Sequence, residues 1–194
     1  MIKKYFILIQ ILFLCSCNGI TFQQLYPAIK ESIVGVDEIE VDQEFIASRE
    51  FSFIKLSISN DVSATLTLVE ITNDNVFHWI SSDRVKVATY MGKIIKVQGT
   101  DYDFQILNFR NWNCNKNSES QVTSRIFLFE PEAYLDLENN LVFEDDVCYE
   151  KYKSNQIRFK GTNQYSYFDN SLPKQTIQKV HPNQKILKLD FYYK

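Results

Sequence analysis

The sequence predicts an all-β fold, a twisted and curled antiparallel sheet of barrel- or sandwich-like form, with one short N-terminal helix. Three observations carry this expectation. The chain holds 15 Phe and 11 Tyr against 5 Gly and 4 Pro. Aromatic and β-branched residues pack well on a pleated surface, and helix-forming Ala is scarce here. From Phe51 onward apolar residues recur with a period of two, the mark of half-buried strands. Polar turn signals then break the pattern at short intervals.

Taken in order, residues 25–35 are the exception to the period of two. Leu25, Ala28, Ile29, Ser32 and Ile33 follow helical spacing, Pro27 fits a first turn, and Gly35 stands where a helix stops. Residues 36–48 are acidic and read as a solvated stretch without an element. Strands are expected over 51–58, 65–72 and 76–80, separated by Asn60-Asp61 and Asn73-Asp74-Asn75. After Ser81-Ser82-Asp83, residues 85–89 and 94–98 flank Met91-Gly92-Lys93, the clearest hairpin in the chain, because glycine takes the positive φ that such turns demand. Residues 102–110 alternate again. Residues 111–120 read as a polar loop. Further strands are expected at 125–129, at 133–137 and 141–147 around a turn at Glu138-Asn139-Asn140, at 148–159 as one or two strands, and at 164–168, 175–180 and 186–192. No period recurs that would mark a repeat protein.

The N-terminus is of another kind. Lys3 and Lys4 precede an apolar run from Tyr5 to Leu14, and Cys15-Ser16-Cys17 follows, the layout of a secretory signal peptide. As a helix, residues 5–17 would span roughly 20 Å at ~1.5 Å per residue, too short for the ~30 Å core of a bilayer. Leu14-Cys15-Ser16-Cys17 resembles the lipobox of a bacterial lipoprotein, which implies a signal peptide over 1–16, lipid on Cys17, a tether over 17–24 and a single β-rich periplasmic domain over 25–194. Asn18 follows Cys17 where the inner-membrane retention signal of enteric bacteria has Asp. That implies an outer-membrane anchor with the body facing the periplasm.

Removal of residues 1–16 leaves 178 of the 194 residues, ample for one domain with a real core. Loss of Lys3 and Lys4 takes the formal charge from −3 to about −5. No Lys/Arg run marks a nucleic-acid surface, so nucleic acid is not an expected partner. Cys114 and Cys148 remain after export to an oxidising compartment, and they are candidates for a disulfide. The alternative is a pair of buried free thiols. Two Cys and two distant His have no metal-ligand spacing, so neither a metal nor another cofactor is expected.

A broader resemblance covers most of the mature chain. Trp79-Ile80-Ser81-Ser82-Asp83, then Thr89-Tyr90-Met91-Gly92-Lys93-Ile94-Ile95-Lys96, Gly99 and Asp103, and finally Asn163, Tyr165, Asp169, Gln178 and Pro182 resemble the pattern of the YjbF/GfcB lipoproteins. These accompany exopolysaccharide and group 4 capsule gene clusters. Thr100, where many relatives have Leu, and Asn170-Ser171-Leu172, in place of a Thr-Gly turn, depart from the pattern. The resemblance implies a curled antiparallel β body and an accessory role in assembling or exporting a surface polysaccharide. It supplies no catalytic residues.

The residues themselves give thin grounds for an enzyme. Glycoside cleavage needs two carboxylates flanking the sugar. Glu130 with Glu132, or Asp83 with Asp103, are pairs that 24 acidic residues supply by chance. His78 and His181 belong to no nucleophile motif. Binding is the better expectation. Trp112 with Asn111 and Asn113 is the first candidate contact for a glycan or an export partner, and Trp79 with Asp83 the second. Trp79 also suits a core position under the hairpin. The expected function is therefore that of a non-enzymatic lipoprotein, attached to the membrane through Cys17, that binds polysaccharide or polysaccharide-export proteins. A polysaccharide-modifying enzyme and a purely structural envelope lipoprotein are the alternatives.

Overall fold

The computed structural model describes residues 41–58, 62–114, 119–169 and 171–194. The signal peptide, Cys17, the tether and the helix expected over 25–35 lie outside the described residues. One short helix, α1 (Gln43–Ser48), precedes the sheet. It falls in the acidic stretch assigned no element, because Asp42 caps it by accepting a hydrogen bond from the Phe45 amide at 2.7 Å.

Twelve strands follow: β1 (Phe53–Ile58), β2 (Val62–Ile71), β3 (Val76–Ser81), β4 (Lys86–Tyr90), β5 (Lys93–Gln98), β6 (Phe104–Ile106), β7 (Ser120–Phe129), β8 (Glu132–Glu144), β9 (Val147–Ser154), β10 (Lys160–Tyr167), β11 (Pro173–Gln178) and β12 (Leu187–Tyr192). Each pairs antiparallel with its neighbours in the chain, and β1 pairs with β12, so the sheet closes into an up-and-down barrel. Closure leaves no edge strand, although β7 runs on past the three-residue β6. The hairpin between β4 and β5 turns on Met91 and Gly92, both at positive φ.

Several boundaries differ from the sequence reading. Glu138-Asn139-Asn140 is not a turn. It is the middle of the thirteen-residue strand β8, because Asn139 is buried and its amide donates to Val122 O and Ser124 Oγ on β7. The turn comes later, at Asp145-Asp146, both at positive φ. Strand β7 begins at Ser120, inside the stretch read as loop. Strand β6 spans three residues, and a 3-10 turn at Phe109–Asn111 replaces the end of the strand expected there.

The barrel is collapsed across its diameter. Strands β5 and β11 lie half-way round the ring from each other, yet they touch. Gln178 Oε1 accepts from Ile94 N at 3.0 Å, and Gln178 Nε2 donates to Gly92 O at 2.8 Å. A Cβ on Gly92 would stand 3.0 Å from both Pro173 Cβ and Thr176 Cγ2, so glycine is needed for the approach as well as for its φ of +82°. Two separate cores result. The larger gathers Ile54, Leu66, Trp79, Ile94, Phe104 and Leu189. The smaller holds Trp112, Leu141, Cys148 and Tyr165.

Candidate functional site

Alternation along β9 and β10 points Glu150, Asn163 and Tyr165 into the barrel. Glu150 is fully buried. Its carboxylate pairs with Lys93 Nζ and accepts from Trp112 Nε1 at 3.1 Å, Asn163 Nδ2 at 2.9 Å and Tyr165 Oη at 2.6 Å. Burial alone would push this carboxyl up, but the Lys93 charge and the hydrogen bonds from Lys93, Tyr165 and Asn163 outweigh it and hold the group below its ordinary value. Burial, with the Glu150 charge behind it, raises Tyr165 well above the usual phenol range. Gln178 joins the network through Tyr165 and ties it to the β4–β5 hairpin. Trp112 caps the pair, with Lys93 Nζ 5.4 Å from its ring centroid and the Tyr165 ring edge-on at 4.7 Å. Two residues on, Cys114 is disulfide-bonded to Cys148, with Cα atoms 6.0 Å apart. The bond secures the Trp112 segment to β9. This centre is buried and densely hydrogen-bonded; it orders the fold.

The expected contact residues do not come together. Trp112 and Trp79 are 3% and 1% exposed, so neither presents a ring face to a ligand. Both indoles are buried because each N–H finds an internal acceptor, Glu150 for Trp112 and Thr89 Oγ1 for Trp79. Asn111, Asn113 and Asp83 are exposed, Asp83 on the turn between β3 and β4. The Asp103 carboxylate is engaged by its own turn, accepting from Gly99 N and Thr100 N. Glu130 and Glu132 do not share a strand face, because the β7–β8 turn at Pro131 lies between them.

A candidate ligand surface lies elsewhere, on the outer face of β7–β10. An open groove of about 930 Å³ crosses these four strands. Cross-strand register builds its walls. One row is Gln121, Asn140, Lys151 and Thr162; the other is Thr123, Glu138, Lys153 and Lys160. The row between them, Val122, Asn139, Tyr152 and Gly161, turns its side chains inward and leaves backbone as the floor. Gly161 is needed there, since a Cβ would lie 2.6 Å from Tyr152 Oη. Glu138 accepts from Lys153 at 2.9 Å and from Asn155 at 2.6 Å, and these bonds hold its carboxyl below the ordinary value. Asn140 Oδ1 is shielded from solvent and takes no hydrogen bond. The groove shares Thr123 and Glu138 with a second depression of about 700 Å³, lined by Asn108, the Arg125–Asp136 ion pair and Gln156. Beyond that pair, Phe127 packs against Phe129 and Tyr134, with ring centroids 4.8 and 5.0 Å away, and Tyr134 is 58% exposed. One outer face thus passes from aromatic rings through an ion pair to amides, hydroxyls and lysines.

The sequence reading missed this face. The outward residues at 121 and 123, 138 and 140, 151 and 153, and 160 and 162 do alternate with inward ones. Their register stayed hidden because 111–120 read as loop, 138–140 as turn and 148–159 as one or two strands without a set boundary.

Among the described residues, no helix is long and apolar enough to cross a membrane. No family model matches the chain, and no curated protein matches it. Among solved structures, it is similar to the crystal structure of the hypothetical lipoprotein YmcC from Escherichia coli (K12). The TM-score is 0.64 and the identity 13%, over 91% of this chain and 98% of that one. At that identity the likeness is one of fold.

Proposed function

We propose that this protein is a non-enzymatic outer-membrane lipoprotein of the YjbF/GfcB kind. It is anchored through Cys17, faces the periplasm, and assists assembly or export of a surface polysaccharide by binding glycan on the outer face of β7–β10. The groove carries the reading: amides, hydroxyls and charged groups line an open trough beside exposed aromatic rings, a lining suited to sugar hydroxyls and ring faces. Three further observations support it. The N-terminus resembles a lipoprotein signal. The fold is like that of a protein described as a hypothetical lipoprotein. Five of the residues that carry the family resemblance, Gly92, Lys93, Asn163, Tyr165 and Gln178, belong to the buried network.

The test uses full-length protein extracted from membranes and surface polysaccharide purified from the same cells. The reading expects an acylated Cys17 by intact mass, saturable binding of the polymer, and an unchanged polymer length after incubation. A mature N-terminus other than lipidated Cys17 would remove the anchor. Absence of glycan binding would remove the role, and shortening of the polymer would make the protein an enzyme instead.

A further inference from the structure

The groove carries a charge asymmetry that the rest of the chain does not. The protein is acidic overall, with 24 Asp and Glu against 21 Lys and Arg. Yet three lysines and one glutamate line this groove. Lys153 and Lys160 stand directly opposite each other across β9 and β10, a like-charge pairing that is unfavourable unless a counter-charge is near. Of the three lysines, Glu138 pairs with Lys153. Lys151 and Lys160 form no ion pair among the described residues. These cations are scattered along the sequence at 151, 153 and 160, and only the pairing of β9 with β10 gathers them. Between them sit neutral hydrogen-bonding side chains, among them the exposed Gln121 and Thr162.

We infer that the groove selects an acidic polysaccharide, with Lys151 and Lys160 taking the carboxylates of sugar units while Gln121 and Thr162 bond their hydroxyls. This inference rests on the glycan-binding reading above and names the class of glycan. The open ends suit a continuous polymer more than a small molecule. A strand-spanning row extends about 14 Å, three inter-strand steps at ~4.8 Å, enough to engage more than one sugar unit. Exposed lysines make the affinity salt-dependent, because such charges are screened within ~10 Å at 0.1 M ionic strength.

The experiment measures binding of full-length, detergent-solubilised protein to polygalacturonate, neutral dextran and a single-stranded DNA oligonucleotide, at low and high salt. The expected result is that polygalacturonate binds more tightly than dextran and DNA and weakens in high salt. Lys151→Ser with Lys160→Ser should lower that affinity about tenfold, the effect of losing charge-assisted contacts. Lys174→Ser with Lys185→Ser, exposed lysines away from the groove, should change little. Thermal melts check that both variants fold. Dextran binding as tight as polygalacturonate binding, with neither altered by the groove substitutions, would overturn the acidic preference and leave glycan binding standing. Tighter binding of DNA would overturn the commitment to a sugar polymer. Binding of none of the three would overturn this inference, and only failure on the cell's own polysaccharide would overturn the broader reading.

Discussion

Glu150 shows how one residue decides an interior. A carboxylate with no exposed surface is tolerable only when its charge and lone pairs are met. Here a lysine, an indole, an amide and a phenol meet them, drawn from three separate parts of the chain. Replacing one partner leaves the other charge stranded. Glu150→Gln should therefore lower the unfolding free energy by about 3–5 kcal/mol, read from urea titration. Lys93→Met combined with Glu150→Leu should recover part of that loss, because no buried charge then remains. If the double variant is no more stable than Glu150→Gln, the pair is not the source of the effect. Gly92 is constrained twice, by its φ and by Pro173 and Thr176 at 3.0 Å. Gly92→Ala should cost about 3 kcal/mol, roughly 1–2 from left-handed backbone and the rest from over-packing, read from the shift in melting temperature.

At the scale of elements, the segment from Phe109 to Cys114 depends on its neighbours. It forms one 3-10 turn and no strand, and it is held by Trp112 in the smaller core and by the bond from Cys114 to Cys148. The cysteines are 34 residues apart, and a closed loop of that length restricts the unfolded chain by ~4 kcal/mol in the chain-entropy model. Reduction should lower the melting temperature and weaken the seating of Trp112. Trp112 fluorescence should then shift to the red in a Trp79→Phe background, where Trp112 is the only indole. An unchanged emission maximum on reduction would show that packing alone holds the segment. Strands β7 and β8 illustrate the opposite case. Their ten paired residues run through polar positions that resemble turns, because the ladder and the Asn139 bonds supply what the side chains lack in apolar surface.

For the whole molecule, two buried groups set the acid limit of stability. His181 is 1% exposed, and burial lowers its pKa from 6.5. Glu150 is held below 4.5. Both folded values lie beneath the unfolded ones, so both contributions are complete above the unfolded values and are lost as pH falls through the depressed folded ones. Stability should decline first as pH drops below the histidine range, and again below the carboxylate range. His181→Gln should flatten only the upper step of that profile, measured by urea midpoints across the acid range. A profile unaffected by the substitution would assign the upper step to another group.

The sequence by itself determined the fold class. Alternation, aromatic content and turn signals are local properties, and they located β1, β3, the β4–β5 hairpin and β12 closely. It also marked Gly92 as a turn glycine and marked the lipid-signal-like N-terminus. Lys93, Asn163, Tyr165 and Gln178 were legible as parts of a familiar pattern, though not as neighbours. Only the tertiary structure decided the rest. Closure of β1 on β12, collapse of β5 onto β11, and the meeting of four side chains around Glu150 depend on contacts between residues far apart in the chain. Trp112 looked available because a tryptophan beside asparagines reads as exposed, whereas Trp79 already suited a core position. Burial was decided by acceptors on other strands, Glu150 for Trp112 and Thr89 for Trp79. The groove was hidden for the same reason: its walls are rows across four strands, and a row exists only once the register is set.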